Sequence, residues 1–289
     1  MKPELWAPRW RSASCMGSEP VTSASMGGIV HNDDVAPGVD GVAQSVDAVA
    51  TAAYAVATAA YAVVLISANA EWRCVRALLP DADVQTSPYG EWFSVELPVR
   101  GESCSCVFLH GGWGKIAAAG STQYAIDRWA PRLLLNLGTC GGFAGAITPG
   151  TVLLVTRTLV YDIIEQMGDP LEALEHYATD LDLTWLKGEP PQPVLRALLL
   201  SADRDIVMQE VPQLRERFGA IAADWESGAI AYVAAHNGVR CLILRAVTDV
   251  VGPEGAEAYD GTMQLFVERT REVMRGMLAA LPEWVGMGI

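Results

Sequence analysis

The sequence predicts an α/β protein, a three-layer α/β/α sandwich around a mainly parallel, twisted central sheet. Three observations predict it. Short apolar runs of strand length alternate with segments of helical character along most of the chain. The runs end on Gly-rich or acidic turns. The chain closes on a long amphipathic segment, 262–281, whose Met263, Phe266, Val267, Val273, Met274, Met277 and Leu278 fall largely on one helical face. Strand and helix in alternation build βα units, which stack into a sheet covered by helices.

Composition narrows the function before any motif is considered. The 289 residues are 51% hydrophobic, with 9 Trp and 27 Gly, enough to fill one α/β domain of roughly 200–250 residues. A formal net charge of −14 and a pI near 4.7 argue against a nucleic-acid partner, because phosphate contacts need clustered Lys and Arg. A small molecule is the expected ligand. Cysteines at 15, 74, 104, 106, 140 and 241 show no Cys-x-x-Cys spacing and sit mostly in apolar segments, which argues against zinc and against a disulfide framework. The expectation is a reducing cytoplasm, no metal and no cofactor.

Residues 1–62 read as a low-complexity leader expected to be disordered, and 63–285 as a single domain. Up to about residue 46 the leader mixes Ser, Gly, Pro, Met and Asp without periodicity. A perfect duplication follows, Ala50–Val56 and Ala57–Val63, both reading Ala-Thr-Ala-Ala-Tyr-Ala-Val. With Val64–Ile66 it makes an uncharged run of 19 residues from Ala48, in principle long enough to span a bilayer. Alanine is weakly apolar, no basic cluster flanks the run, and its end is needed as a strand. Neither a membrane span nor a secretory signal is expected.

Val63–Ile66 is expected to be a buried strand, followed by a helix through Leu79 that stops at Pro80, so Glu71 falls at a strand-to-helix junction. Tyr89–Val99 and Cys104–His110 alternate like paired strands around Gly101. Gly111-Gly112-Trp113-Gly114-Lys115 opens a helix over Ile116–Trp129, its glycines allowing close approach of a ligand. A buried strand from Arg132 to Leu137 runs into Gly138-Thr139-Cys140-Gly141-Gly142-Phe143, read as a tight loop whose amides suit a sugar or an anion. Thr151–Thr156 is a further strand. Residues 168–193 are polar and read as a flexible flap or a partner-contacting insertion. Leu198–Asp203 looks like a strand ending in a polar turn, and Pro212–Phe218 like a short helix.

The chemistry is expected in Ile221–Asp249, ordered as strand, acidic turn, helix, strand and acidic end. Asp224-Trp225-Glu226 closes its first apolar run and Thr248-Asp249 its second. Ligands of open α/β sheets bind at the carboxyl ends of strands. Glu226 and Asp249 are therefore expected to face one pocket.

Four features in this order, Gly-Trp-Gly-Lys at 112–115, Gly138–Gly142, Asp224-Trp225-Glu226 and Arg245-Ala246-Val247-Thr248-Asp249, resemble the nucleoside phosphorylase and nucleosidase superfamily. Within it the chain is most similar to the 5′-methylthioadenosine/S-adenosylhomocysteine nucleosidases, over about Val63–Leu281. The resemblance implies hydrolysis of the N-glycosidic bond of 5′-methylthioadenosine, S-adenosylhomocysteine or a related purine nucleoside, without a cofactor, in a homodimer. It implies that Glu71, in Ala-Asn-Ala-Glu, activates water, that Glu226 grips the ribose hydroxyls, and that Asp249 protonates the purine N7. Trp225 stands where methionine is usual, and Gly138-Thr139-Cys140-Gly141-Gly142 replaces Gly-Ser-Ala-Gly-Gly. On this resemblance Glu71, Asp249 and Arg245 are the catalytic candidates, Arg245 orienting the water or supporting a carboxylate. Glu226, Trp225, Asp224, Thr139, Cys140, Gly141 and Ile206 are the substrate contacts.

The physics fits those roles, because cleavage builds positive charge on the sugar and negative charge on the base, so a proton donor at the base and carboxylates around the ribose both favour the transition state. Asp249 must then be protonated, which burial promotes. Two departures bear on the substrate. Many phosphorylases of the family carry an arginine just before the Gly-rich segment; Asn136 stands here, which favours water, while Arg73 and Arg76 leave phosphorolysis open. The segment Ser201-Ala202-Asp203-Arg204-Asp205-Ile206 has Asp205 where nucleosidases commonly place a ring that stacks on adenine, so the base is held differently or is not adenine. A catalytically silent nucleoside-binding protein of the same fold is the alternative of another class. Each acid also has a local reading, as a turn cap or a helix-dipole partner, and His110, His176 and His236 are isolated and receive no role.

Overall fold

A computed structural model of the chain describes residues 11–12, 59–258 and 263–289. Apart from 11–12 and 59–62, the expected leader lies outside the described residues. In chain order the main strands are β1 (Ala62–Ile66), β2 (Glu91–Val99), β3 (Glu102–His110), β4 (Leu133–Phe143), β5 (Val152–Val160), β6 (Leu195–Ser201), β7 (Ala222–Asp224) and β8 (Arg240–Gly252). The helices are α1 (Asn69–Leu78), α2 (Lys115–Trp129), α3 (Pro170–His176), α4 (Val211–Phe218), α5 (Ser227–His236) and α6 (Gln264–Gly286). Among the described residues no helix is long and apolar enough to cross a membrane.

Strand β1 is apolar at every position because both its faces are covered. Ala62, Val64 and Ile66 pack with Trp72 and Val75 of α1 and with Met274, Met277, Leu281 and Trp284 of α6. Val63 and Leu65 point the other way, to Ala118, Ala125 and Trp129 of α2 and Ile230, Ala231 and Ala234 of α5. Helices thus flank the sheet on two sides, as the alternation of elements predicts. A third cluster, with Phe143, Leu200, Ile206 and Leu214, fills the end nearest α4.

The sheet is mixed, and this corrects the expectation of a mainly parallel one. Five of the twelve strand pairings among the described residues are parallel, including β1 with β3 and β4, β4 with β8, and β5 with β6; the other seven are antiparallel. The physical reason lies in β4. Its first half, Leu133–Asn136, pairs with β1, whereas Gly141 and Gly142 pair antiparallel with Ala223 and Ala222 of β7 on that same edge. Along its other edge β8 pairs with it from Arg240 to Val251. The succession β4, β7, β6, β5, β8 returns to β4, so these five strands close on themselves while β1, β3 and β2 extend from one side.

Gly138–Phe143 is therefore strand, not the tight loop expected from its glycines. Their work is steric. A Cβ on Gly142 would lie 2.7 Å from Ile147 Cγ2 and 2.8 Å from Val247 Cγ1, and one on Gly141 would lie 2.6 Å from Ile206 Cδ1. Local sequence cannot separate a glycine that turns the chain from one that lets neighbours touch the sheet.

Two further readings change. Strand β8 runs on through Asp249 to Gly252, with a bulge at Thr248 that puts Val247 opposite Cys140 but Asp249 opposite Gly141. The 168–193 insertion is tied down rather than a loose flap. Asp169 caps α3 by accepting from Leu171 N at 2.8 Å, Arg157 bridges Glu175 and Asp180 at 2.6 and 3.3 Å, and Leu183, Trp185 and Leu186 pack on the core. Its charges face solvent while its apolar residues anchor it. Overpacking at the closure of the sheet is expected to cost about 1–3 kcal/mol, so Gly142→Ala should lower the urea midpoint of unfolding with an unchanged slope.

Candidate active site

At the closed end of the sheet a cavity of about 870 Å³ is lined by Ala68 to Glu71 and Arg73, by Trp113, by Thr139 to Gly141, by Arg204 to Ile206, by Ala223 to Glu226, by Thr248 and Asp249, and by Ala258, Met263 and Phe266. Glu71, Glu226 and Asp249, which lie far apart along the chain, share this one hollow. So do Trp225, Asp224, Thr139, Cys140, Gly141 and Ile206. Arg245 is not on the wall: it lies behind it, fully buried.

Arg245 projects from β8 opposite Gly138 of β4. A Cβ on Gly138 would lie 2.2 Å from Arg245 Nη1 and 2.9 Å from Glu71 Oε1, so glycine is what admits the guanidinium. Its Nε donates to Ser227 Oγ at 3.0 Å and forms an ion pair with Asp224 Oδ2 at 2.9 Å. Its Nη2 donates to Asn136 Oδ1 at 2.8 Å and to Glu226 Oε2 at 3.3 Å. Its Nη1 donates to the Thr139 carbonyl at 3.3 Å and lies 3.9 Å from Glu71 Oε1. One cation thus reaches three buried carboxylates.

Each carboxylate has a second fastening. Glu71 is in the first turn of α1, where Oε2 accepts from Ala68 N at 3.0 Å, a local helix-start contact. Its Oε1 accepts from Thr139 N at 2.7 Å and Thr139 Oγ1 at 2.9 Å, so the local and the site readings both hold. This also shows where the Thr139 amide goes: to Glu71, not to an open anion site. Glu226 Oε1 accepts from Gly114 N at 3.1 Å. Asp224 ends β7 and is saturated, accepting from Ser201 Oγ at 2.6 Å, from Ser227 N at 3.1 and 3.2 Å, and from Ser227 Oγ. It lines the cavity, yet its oxygens hold the start of α5 and Arg245.

Asp249 is placed differently. The bulge beside it turns consecutive residues, Thr248 and Asp249, toward the cavity. Thr248 Oγ1 donates to its Oδ1 at 2.9 Å, and the Thr248 carbonyl is held by Arg269 at 2.7 Å. Burial raises the Asp249 pKa above the ordinary carboxylate range, with the Thr248 hydrogen bond opposing and Glu257 and Asp205 adding to the rise. Burial likewise pushes Glu226 up to about 7 against the pull of Arg245. The Cys140 thiol is raised by burial, which keeps it protonated and unreactive.

Several contributors have partners that the sequence does not show. Asn136 joins Arg245 to the Leu65 carbonyl, 3.1 Å from its Nδ2, so the residue in the place of the phosphorylase arginine is buried behind the wall. Lys115 pairs with Asp162 and with Asp203 at 3.7 Å, Lys115 N donates to Asp203 Oδ1 at 2.7 Å, and Asp203 N donates to Asp162 Oδ2 at 2.9 Å. This fastens the Gly111–Gly114 turn, whose Gly114 has φ +85°, so that its amide meets Glu226. Trp113 and Trp225, with ring centroids 5.6 Å apart, make an aromatic wall.

A mixed sheet closed on itself, with a cavity of acids braced by one buried arginine, defines an α/β small-molecule site. Residues 80–281 match the phosphorylase superfamily, and the chain belongs to that family. It is 28% identical over 188 residues to a 5′-methylthioadenosine/S-adenosylhomocysteine nucleosidase of Actinobacillus succinogenes, covering 61% of this chain and 82% of that one, and 26% identical over 185 residues to the nucleosidase of the same name from Oceanobacillus iheyensis, covering 60% and 81%. Among solved structures, the Campylobacter jejuni nucleosidase of that name superposes with a TM-score of 0.61 at 17% identity, over 78% of this chain and 99% of that one. The Streptococcus pneumoniae nucleosidase in complex with 8-aminoadenine gives 0.62 at 18% identity, over 78% and 98%. These superpositions establish the fold.

Removing the brace leaves buried charges uncompensated, which costs about 3–5 kcal/mol, so Arg245→Met should be strongly destabilised. Without the guanidinium the Glu226 pKa rises further above its unfolded value. A raised folded pKa gives stability below the unfolded value that is lost as pH rises. The deficit against wild type, read from urea unfolding, should therefore grow from pH 5 to pH 8.

Proposed function

We infer that this chain hydrolyses the N-glycosidic bond of a purine nucleoside of the 5′-methylthioadenosine and S-adenosylhomocysteine class. The observation that carries the reading is the meeting of Glu71, Glu226 and Asp249 on one cavity, with Arg245 anchoring two of the three. Asp249, whose pKa is raised by burial, delivers a proton to the leaving base as negative charge builds there. Glu226 accepts hydrogen bonds from the ribose hydroxyls and fixes the sugar. Glu71, oriented by the amide and hydroxyl of Thr139, takes the proton of an attacking water. Arg245 is a positioning residue that acts through the carboxylates, as are Asp224 and Asn136. Thr139, Cys140, Gly141, Ile206 and Trp225 form the walls around base and sugar.

Water is favoured over phosphate because the centre is acidic. Arg245 is committed to carboxylates, and Asn136 does not reach the cavity wall. Glu71 and Glu226 would repel a dianion placed between them. The reading extends to a homodimer, supported by Trp113, Ile116, Ile164 and Met167, which are exposed apolar side chains on the two segments joined by Lys115 and Asp162. It extends also to a reducing, cytoplasmic setting, supported by the free thiols of the five described cysteines.

Incubation with methylthioadenosine should release adenine and the free sugar at the same rate with and without phosphate, and formation of sugar 1-phosphate would assign phosphorolysis instead. Asp249→Asn should lower kcat by about 10²–10⁴, whereas an unchanged kcat removes Asp249 from the chemistry. Because the proton donor must be loaded, wild-type kcat/KM should fall as pH rises through the elevated pKa of Asp249.

A further inference from the structure

Asp205, on the cavity wall, and Glu257 add their negative fields at Asp249. Arg73 of α1 also lines the wall, as do Met263 and Phe266 from the start of α6. Arg73 is exposed, and among the described residues it has no hydrogen-bond or ion-pair partner. Helix α1 packs on α6, and the Cys74 thiol between them feels Arg271 and Arg275 as well as Arg73. Both α6 arginines are exposed and, among the described residues, unpaired.

Other cations around the cavity are committed. Arg245 holds carboxylates, Arg204 holds Glu210 at 2.5 Å, Arg269 holds Glu257 at 2.7 Å, and Lys115 holds Asp162. In a chain with 34 acidic and 20 basic side chains, an arginine on the cavity wall that has no acid partner among the described residues marks a place where negative charge is received. A guanidinium offers a planar fork matched to a carboxylate, and the Phe266 ring on the same wall suits the carbon chain leading there.

We propose that Arg73 receives the anionic end of the substrate's 5′ substituent, so that this chain takes nucleosides with a carboxylate-bearing tail in preference to those with a neutral one. The proposal rests on the nucleosidase reading for which bond is cut, but the tail preference is a property of binding and is measured without turnover. The same arginine would attract free phosphate. Phosphate acting as nucleophile, however, has to lie at the glycosidic carbon, beside the buried Glu71 and Glu226, whereas Arg73 is an exposed wall residue, as is Met263.

The test is titration calorimetry on the full chain with methylthioadenosine, 5′-carboxymethylthioadenosine and inorganic phosphate, for wild type, Arg73→Gln and Arg73→Lys. Wild type should bind the carboxymethyl compound about tenfold tighter than methylthioadenosine, the scale of one charge-assisted hydrogen-bonded contact. Arg73→Gln should erase that advantage and leave the methylthioadenosine Kd within about twofold, Arg73→Lys should retain part of it, and raised salt should shrink it. Equal binding of the two nucleosides by wild type, an equal loss of both in Arg73→Gln, absence of nucleoside binding, or a loss confined to phosphate would overturn the proposal. If the tail preference holds while no base is released from either nucleoside, it is the hydrolytic reading that fails.

Discussion

The buried guanidinium of Arg245 is the constraint on which the site depends. Charge removed from water is unfavourable unless it is matched, and here one cation is shared among Asp224, Glu226 and, at longer range, Glu71. Those acids come from α1, the end of β7 and the approach to α5. A single side chain on β8 therefore fixes how three elements meet. It also divides the acids by environment. Asp224 is saturated with donors, Glu71 accepts from Ala68 and Thr139, Glu226 is lifted to about 7 by burial, and Asp249, outside the guanidinium's reach, is lifted by burial with Thr248 as its side-chain donor among the described residues. Neighbouring carboxyl groups held in different surroundings are the arrangement from which acid and base roles arise.

Admitting that cation required the sheet to be unusually open at one point. Gly138 lies opposite Arg245 and leaves the volume the guanidinium fills, while Gly141 and Gly142 accept Ile206, Ile147 and Val247 against the strand. In the same stretch β4 exchanges β1 for β7 and the sheet closes. The bulge at Thr248 then turns Asp249 into the space so formed. The glycines, the closure and the bulge belong to one device, a strand pair that makes room first for a buried charge and then for a ligand.

Much of this was legible in the chain itself. Alternating apolar runs and amphipathic segments announced flanking helices, and the α6 face read from Met274, Met277 and Leu278 is the face that packs on β1. The acids were marked by position after apolar runs. What misled was glycine, which in sequence signals a turn and here relieves crowding inside a strand. Polarity misled in the 168–193 segment, where isolated Leu183, Trp185 and Leu186 secure it to the core. The partners of Asn136, Ser201, Ser227 and Gly114 were not legible, because each reaches a group remote in sequence, and a single Asn or Ser in an apolar run carries no periodicity to betray it.

The sequence by itself determined the class of fold, the order of its elements and the identity of the acids, because hydrophobic period and residue type are local properties. Only the tertiary structure decided that the sheet is mixed and closed, that Arg245 stands behind the cavity rather than in it, and that Arg73 lines the cavity without an acid partner among the described residues. Those facts depend on which distant strands share an edge and which charges come within a few ångströms, and pairing at long range leaves no trace in the neighbours of a residue along the chain.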